Sequence, residues 1–198
     1  MTAVGHRGYI GGRWDEIGKL QFDFMVSRGL RPEHVFLDIA CGALRGGVYF
    51  IPYLDEGNYL GIDQEQVLID RALAKELPAD VQQQKRPEFV VSNAFEFDRF
   101  SRRPQISLAQ SLFTHLIRSD IELCVKRLRA FVASGHEFYA TFRVGRSDGN
   151  RAKSHAHARF VYMPDELEAI GRSHGWDCEF LGDWGHPRGQ QMMRFAAR

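Results

Sequence analysis

The sequence predicts an α/β fold of three layers (αβα), with a mostly parallel, seven-stranded sheet between helices and an antiparallel C-terminal edge strand. Three observations carry this. Seven strand-like runs fall along the 198 residues, and the first five alternate with helix-like segments or short connections; such alternation places helices on both faces of a parallel sheet. The first run, Val35-Phe36-Leu37-Asp38-Ile39, enters the small-residue turn Ala40-Cys41-Gly42-Ala43, and the second closes on Asp63, twenty-one residues after Gly42. That is the layout of a βαβ unit that binds a nucleoside: small residues let the ligand approach, and the second carboxylate can take both hydroxyls of a ribose. The last two runs, 177–184 and 190–195, are joined by the short loop Gly185-His186-Pro187-Arg188-Gly189, which suits an antiparallel pair.

The elements follow in order. The opening Gly8-Tyr9-Ile10-Gly11-Gly12-Arg13 leads into a helix from Trp14 to about Arg28, whose Ile17, Leu20 and Phe24 share one face; Gly29 and Pro32 stop it. Strands are expected near 35–40, 58–63, 88–93, 106–111 and 136–144, and helices at 46–54, 64–77, 118–133 and 164–174. The last helix opens with Pro164-Asp165-Glu166, a proline and two acids suited to a helix N-terminus. Between the third and fourth strands only Glu96–Phe100 is left for a connecting helix. With no repeat and no low-complexity linker, the chain reads as one domain, 1–32 forming an N-terminal cover and 33–198 the core.

Composition excludes several classes. A formal charge of +1 gives no global pull toward nucleic acid or anionic membranes, and no apolar run is long enough to span a bilayer. The start Met1-Thr2-Ala3-Val4-Gly5-His6-Arg7 lacks a secretory apolar stretch, and Cys41, Cys124 and Cys178 are odd in number and widely spaced. Both features suit reduced thiols in a cytoplasmic protein. In the turn, Cys41 reads as a small neutral residue rather than a nucleophile. Fifteen Phe fill either a core or a homodimer face.

The turn fits a dinucleotide site poorly, because Ala40-Cys41-Gly42-Ala43-Leu44-Arg45 departs from Gly-x-Gly-x-x-Gly. It resembles the first motif of the class I S-adenosylmethionine (SAM)-dependent methyltransferases, acidic-x-Gly-x-Gly: Asp38 supplies the acid, Gly42 the second glycine, and Ala40 replaces the first. Further along, Asp63 matches that family's ribose-holding acid. Phe89-Val90-Val91-Ser92-Asn93-Ala94-Phe95 looks like its third motif, beside the adenine. The stretch from Ile106 through Gln110 and Ser111 to Leu116 looks like its fourth. The resemblance covers most of the chain from Val35 onward. It implies a Rossmann-like fold with SAM as cofactor, held by Asp38, Ala40, Cys41, Gly42, Asp63, Gln64, Asn93, Ala94, Phe95, Gln110 and Ser111. Related small enzymes place an N-terminal helix beside SAM, which implicates Gln21 and Lys19; Arg45 either pairs the methionine carboxylate or lies outside the next helix.

Methyl transfer needs an acceptor held in line and, for an alcohol, a base. His115, after the fourth strand, and His186, in the loop between the last two strands, are the base candidates; each is alternatively a structural donor. Trp184 and Arg188 in that last loop, Arg143 after the fifth strand, and Tyr9 and Trp14 near the N-terminus are candidate substrate contacts, Trp14 equally a core anchor. The basic, glycine-punctuated stretch Arg143–Arg159 suits either a flap over a phosphorylated, carboxylated or RNA acceptor or a solvated loop. His155 and His157 lack the carboxylate or Cys that would complete a metal site, so no metal is expected. A weaker resemblance of the C-terminal stretch to small sugar and polysaccharide O-methyltransferases points to a small-molecule or glycan hydroxyl as acceptor. The alternatives are an N-methyltransferase acting on a small molecule or RNA, a catalytically silent SAM-binding partner subunit, and an NAD-dependent oxidoreductase.

Overall fold

A computed structural model describes residues 5–9, 11–155 and 158–198, with the side chain of Tyr9 outside the description. The elements are α1 (Gly5–Tyr9), α2 (Trp14–Ser27), β1 (Phe36–Ile39), α3 (Gly47–Tyr53), β2 (Tyr59–Asp63), α4 (Gln66–Lys75), α5 (Ala79–Lys85), β3 (Glu88–Val91), β4 (Ile106–Ala109), α6 (Arg118–Phe131), β5 (Glu137–Phe142), α7 (Pro164–Ser173), β6 (Trp176–Asp183) and β7 (Gln191–Ala197). The strands form a seven-stranded sheet in the order β3-β2-β1-β4-β5-β7-β6. β2 pairs in parallel with β1 and with β3, β4 in parallel with β5, and β7 runs antiparallel to both β5 and β6. Among the described residues no helix is long and apolar enough to cross a membrane.

The chain divides into two compact units, 1–93 and 94–198. In the first, every residue of β1 and β2 is buried, as expected where helices cover both faces of parallel strands. Phe36 lies opposite Tyr59 and Asp38 opposite Gly61. Gly61 leaves room for its neighbours: a Cβ there would sit 2.8 Å from the Phe89 ring and 3.2 Å from Cys41 Sγ. The Phe36 and Phe50 rings, 4.4 Å apart, join β1 to α3.

Helix α2 spans the expected residues but presents a different stripe. Trp14, Ile17, Gly18, Gln21 and Met25 are buried, whereas Leu20 and Phe24 are half-buried. The cause is Gly18, whose missing side chain admits the Arg45 carbonyl; a Cβ would collide with that oxygen and crowd the Tyr49 ring. Gly29, at φ 94°, ends the helix. Two helices lie where none was expected. One is the short α1. The other is α5, which buries no residue and so has no apolar period to read; it follows Pro78, and Gln82 Nε2 ties it back to the Leu73 and Leu77 carbonyls, both at 2.7 Å.

In the second unit, Phe113, Phe138, Trp176 and Phe195 form an aromatic core with ring centroids 5.2–6.5 Å apart. Trp176 Nε1 donates to the Val125 carbonyl on α6 at 3.2 Å. Helix α7 starts at Pro164 as read, and the Met163 N–H donates to Glu166 Oε2 at 2.7 Å across its first turn. Buried His136 donates Nδ1–H to the Pro104 carbonyl at 2.9 Å and accepts from Ser107 Oγ at Nε2, also at 2.9 Å. Burial pulls its pKa down to about 4.

Candidate functional site

The turn after β1 is the most constrained backbone in the first unit. Ala40, Gly42 and Leu44 have φ of 62°, 55° and 62°; two are not glycine, and left-handed conformations of that kind persist only where the surroundings fix them. Here Cys41 N–H donates to the Ile62 carbonyl at 3.1 Å, Leu44 N–H to the Cys41 carbonyl at 3.0 Å, and Gly42 N–H to Asp63 Oδ2 at 2.8 Å. The other oxygen, Asp63 Oδ1, accepts the Glu65 N–H at 2.9 Å, and the Gln64 backbone also bonds to this carboxylate. Asp63 is 9% exposed. Burial pushes its pKa up, against the pull of these backbone donors.

Asp38 is buried and accepts the Tyr59 hydroxyl at Oδ2, 2.8 Å away. Desolvation raises its pKa to about 7, Tyr59 opposes the rise, the Asp63 charge adds to it, and Arg45 counters it. Burial pushes the Cys41 thiol well up too, with Asp38 and Asp63 adding to the effect, so it is held as a thiol and not as a nucleophile. Cys41 and Cys124 are buried, Cys178 is half-buried, and none forms a disulfide.

The N-terminal segment closes against this turn. Arg45 Nη1 donates to the Gly12 carbonyl at 3.2 Å. Gln21 donates Nε2–H to the Ile17 carbonyl at 3.1 Å, and its Oε1 occupies the space beside Gly46, 2.9 Å from where a Cβ would stand. Trp14 is buried, with the Arg7 guanidinium 4.8 Å from its ring centre and His6 at its edge. Lys19 is engaged by Asp23 at 2.7 Å on the exposed side of α2. Tyr9 closes α1, its side chain outside the described residues. Asn93 is exposed, two residues after β3.

In the second unit, a polar cluster gathers after β4. Ser111 has φ 66° and donates its N–H to Thr141 Oγ1 at 2.6 Å; Thr141 donates to Gln190 Oε1 at 2.7 Å; Gln190 Nε2 donates back to Ser111 Oγ at 2.7 Å. Thr114 Oγ1 donates to the Ser111 carbonyl at 2.7 Å. Buried His186 accepts the Arg188 N–H at Nδ1, 3.2 Å, and its Nε2 lies 3.2 Å from Gln110 Nε2. Trp184 stacks on the His186 ring at 5.4 Å. Half-buried His115 stands in a 3₁₀ turn, Phe113–His115, and donates Nδ1–H to the Ala158 carbonyl at 2.8 Å; its basic lone pair is therefore on Nε2. Arg143 Nη1 donates to the Arg188 carbonyl at 2.9 Å. At the start of this unit, Ala94 precedes Phe95, which takes φ 56° and stacks on Phe97 at 6.1 Å.

The expected residues thus fall into groups. Asp38, Ala40, Cys41, Gly42, Arg45, Asp63, Gln64 and Gln21 surround one turn; Gln110, His186, Arg188 and Arg143 are linked in a chain with Trp184 stacked on His186, and Ser111 bonds separately with Thr141 and Gln190. Sequence reasoning missed Tyr59, Thr141 and Gln190, which hold the expected residues in place. A signal existed for Tyr59: it stands two residues before Gly61, the partner of Asp38, on the same face of the neighbouring strand. Among the described residues no group of three or more His, Cys, Asp or Glu could hold a metal ion; His157 lies outside them.

No protein-family model matches the chain, and no curated protein matches it. Solved structures do. DesVI from Streptomyces venezuelae aligns over 98% of this chain and 97% of its own, with TM-score 0.70 and 17% identity. The glycopeptide N-methyltransferase MtfA, solved with SAM, aligns over 91% of this chain and 94% of its own, with TM-score 0.70 and 14% identity. Magnesium protoporphyrin IX methyltransferase from Synechocystis PCC 6803, with bound SAM, aligns over 92% and 81%, with TM-score 0.68 and 11% identity. The likeness gives this chain the fold that these methyltransferases share.

Proposed function

We propose that the chain is a SAM-dependent methyltransferase that moves a methyl group to a hydroxyl of a sugar, a polysaccharide or another small hydroxylated acceptor. The observation that carries the reading is the turn after β1, strained at two non-glycine residues and tied by its Gly42 amide to Asp63. Its donor set fits a nucleoside. Asp63 is an acceptor-only carboxylate at the carboxyl end of a parallel strand, and Ala40, Cys41, Gly42 and Ala43 are small enough for close approach. Bound SAM would supply an electrophilic methyl that needs no metal.

The chain's own residues would then bind, orient and deprotonate. Asp63 takes the ribose hydroxyls, and Asp38 with Tyr59 fixes the strand ends that present the turn. His115 is the better base of the two histidines: its Nδ1–H is committed to the Ala158 carbonyl, so Nε2 is the basic atom. His186 has its Nδ1 lone pair engaged by the Arg188 amide, which suits it to shaping the β6–β7 loop.

The test is calorimetric titration with S-adenosylhomocysteine, with NAD in parallel, on wild type and Asp63→Ala. Micromolar binding that the substitution abolishes, with NAD silent, supports the reading; no binding of S-adenosylhomocysteine, or heat with NAD alone, overturns it.

A further inference from the structure

In the first unit, one carboxylate holds helix α1 from outside. Glu76 stands at the C-terminal cap of α4, where the helix dipole is negative and a cation would suit better than an acid. Its partners account for it. They come from α1, sixty-nine and seventy residues earlier in the chain. Arg7 forks onto the carboxylate, Nε donating to Oε1 at 2.8 Å and Nη2 to Oε2 at 2.5 Å, and His6 Nε2 also meets Oε1. The Glu76 side chain is 6% exposed and that of Arg7 53%. The bond from Arg7 keeps the Glu76 carboxyl below the usual carboxylate range against the rise that burial causes, and His6 adds to the effect.

From Glu76 a continuous path leads to the turn after β1. The Arg7 guanidinium lies 4.8 Å from the centre of the Trp14 ring, and the His6 ring meets the same indole edge-on at 6.1 Å. Gly11 N–H donates to the Gly8 carbonyl at 3.0 Å and Gly12 N–H to the Arg7 carbonyl at 2.9 Å. These bonds close a turn in which Gly11 and Gly12 take φ of 95° and 65°. The Gly12 carbonyl then accepts Arg45 Nη1 at 3.2 Å, and Arg45 follows directly on Leu44, the last strained residue of the turn. Apolar burial contributes little to α1: among its described side chains His6 is half-buried and Arg7 exposed. A helix of five residues has no stability of its own. The clasp is therefore chiefly ionic.

We propose that Glu76 is a positioning residue for cofactor binding: by clasping Arg7 and His6 it holds α1 and the Gly11–Gly12 turn against Arg45, at the edge of the turn that receives the nucleoside. Its influence runs through Arg7, Gly12 and Arg45. With the clasp open, the segment must be ordered when the ligand binds, and that cost is subtracted from the affinity. With the clasp closed, the competent arrangement exists beforehand. The role toward the cofactor rests on the methyltransferase reading; the clasp itself does not.

The experiment compares the full chain as wild type, Glu76→Gln, Arg7→Gln, the double variant and the control Asp80→Asn, an exposed acid in the first turn of α5. Two quantities are measured. One is hydrogen–deuterium exchange of the amides of residues 5–13 without ligand; the other is the affinity and dissociation rate of S-adenosylhomocysteine. Each single substitution should speed the exchange and weaken S-adenosylhomocysteine by about three- to tenfold, between the worth of an exposed ion pair and that of an enclosed charge-assisted bond. The weakening should lie mostly in faster dissociation. The double variant should lose less than about twofold beyond either single one, because both remove the same interaction, and the control should match wild type. Arg7 is exposed, so its variant keeps the test sound if Glu76→Gln fails to fold. Wild-type exchange and affinity in the single variants overturn the inference, and so do fully additive losses in the double variant. Faster exchange with unchanged S-adenosylhomocysteine binding defeats the cofactor role and leaves the methyltransferase reading intact. Faster exchange with no binding even in wild type defeats that reading, and the cofactor role with it, and leaves the clasp standing.

Discussion

The Tyr59 hydroxyl donates to Asp38 Oδ2 at 2.8 Å, from one buried parallel strand to the next. The register sets this contact: Phe36 faces Tyr59, so Asp38, two residues on, projects from the same face one step along. The bond also tells how Asp38 is used. A carboxylate this deeply enclosed, near a second acid and answered by one phenol, braces the turn above it.

A stability profile follows from that enclosure. Folding raises the Asp38 pKa from 3.8 to about 7, so the native state favours the protonated acid. The resulting stabilisation is fully present below about pH 4 and lost as the pH rises through about 7. At about 1.4 kcal/mol per pH unit, it is on the order of 4 kcal/mol at most. Asp38→Asn keeps an oxygen for Tyr59 and cannot ionise. Its melting temperature should exceed that of wild type near pH 8, and the gap should close toward pH 4; a gap that does not vary with pH contradicts the argument.

Removing the other partner acts in the opposite direction. Tyr59→Phe deletes the one side-chain hydrogen bond that holds the Asp38 pKa down. It should cost about 1–3 kcal/mol near pH 8, the penalty for stranding a buried polar group. The loss should be smaller in the Asp38→Asn background, where no charge is stranded. Denaturant melts of the four-protein cycle measure this coupling directly.

Much of this was legible in the chain, for definite reasons. The turn at Asp38–Gly42 and the acid at Asp63 were readable because small residues and carboxylates at strand ends are local signals, and the antiparallel β6–β7 pair because its loop is short. The buried face of α2 was not, since Gly18 contributes packing by lacking a side chain and apolar periodicity does not register it. Helix α5 was hidden because it buries nothing. The network of Ser111, Thr141 and Gln190 is a matter of register between β4, β5 and β7, separations of 30 and 49 residues that no local pattern encodes.

Gly18 gives the next expectation. Because a Cβ there would collide with the Arg45 carbonyl, Gly18→Ala must lift α2 from the turn that Arg45 follows. Overpacking of this kind costs about 1–3 kcal/mol. Affinity for S-adenosylhomocysteine should drop with it, whereas Val26→Ala, on the exposed side of α2, should leave both unchanged. Thermal melts with parallel calorimetry decide the matter; a Gly18→Ala protein with wild-type stability would show that α2 packs otherwise.

Asp63 predicts a pH dependence of ligand binding. Burial raises its pKa, and only the ionised form is a pure acceptor for ribose hydroxyls. Affinity for S-adenosylhomocysteine should therefore fall on acidification at a pH above the ordinary carboxylate range. Asp63→Asn should bind weakly and without that dependence. Titrations from about pH 8 to pH 5 test this, and a wild-type affinity constant across the range would remove ionised Asp63 from ribose binding.

The two histidines should separate kinetically. His115 presents a basic Nε2 because Nδ1–H is fixed to the Ala158 carbonyl, so His115→Ala should lower kcat by about 10²–10⁴-fold, the usual worth of a positioned base. It should also abolish the ascending limb of the pH–rate profile while leaving S-adenosylhomocysteine binding intact. His186 accepts the Arg188 amide at Nδ1 inside the β6–β7 loop, so His186→Ala should disturb that loop and raise KM for the acceptor more than it lowers kcat. The profiles are measured with labelled SAM and whichever acceptor a screen of hydroxylated compounds identifies. If His186→Ala removes the ascending limb and His115→Ala keeps it, the roles are exchanged, and the proton on His186 must sit on Nδ1 during turnover, with the Arg188 contact broken.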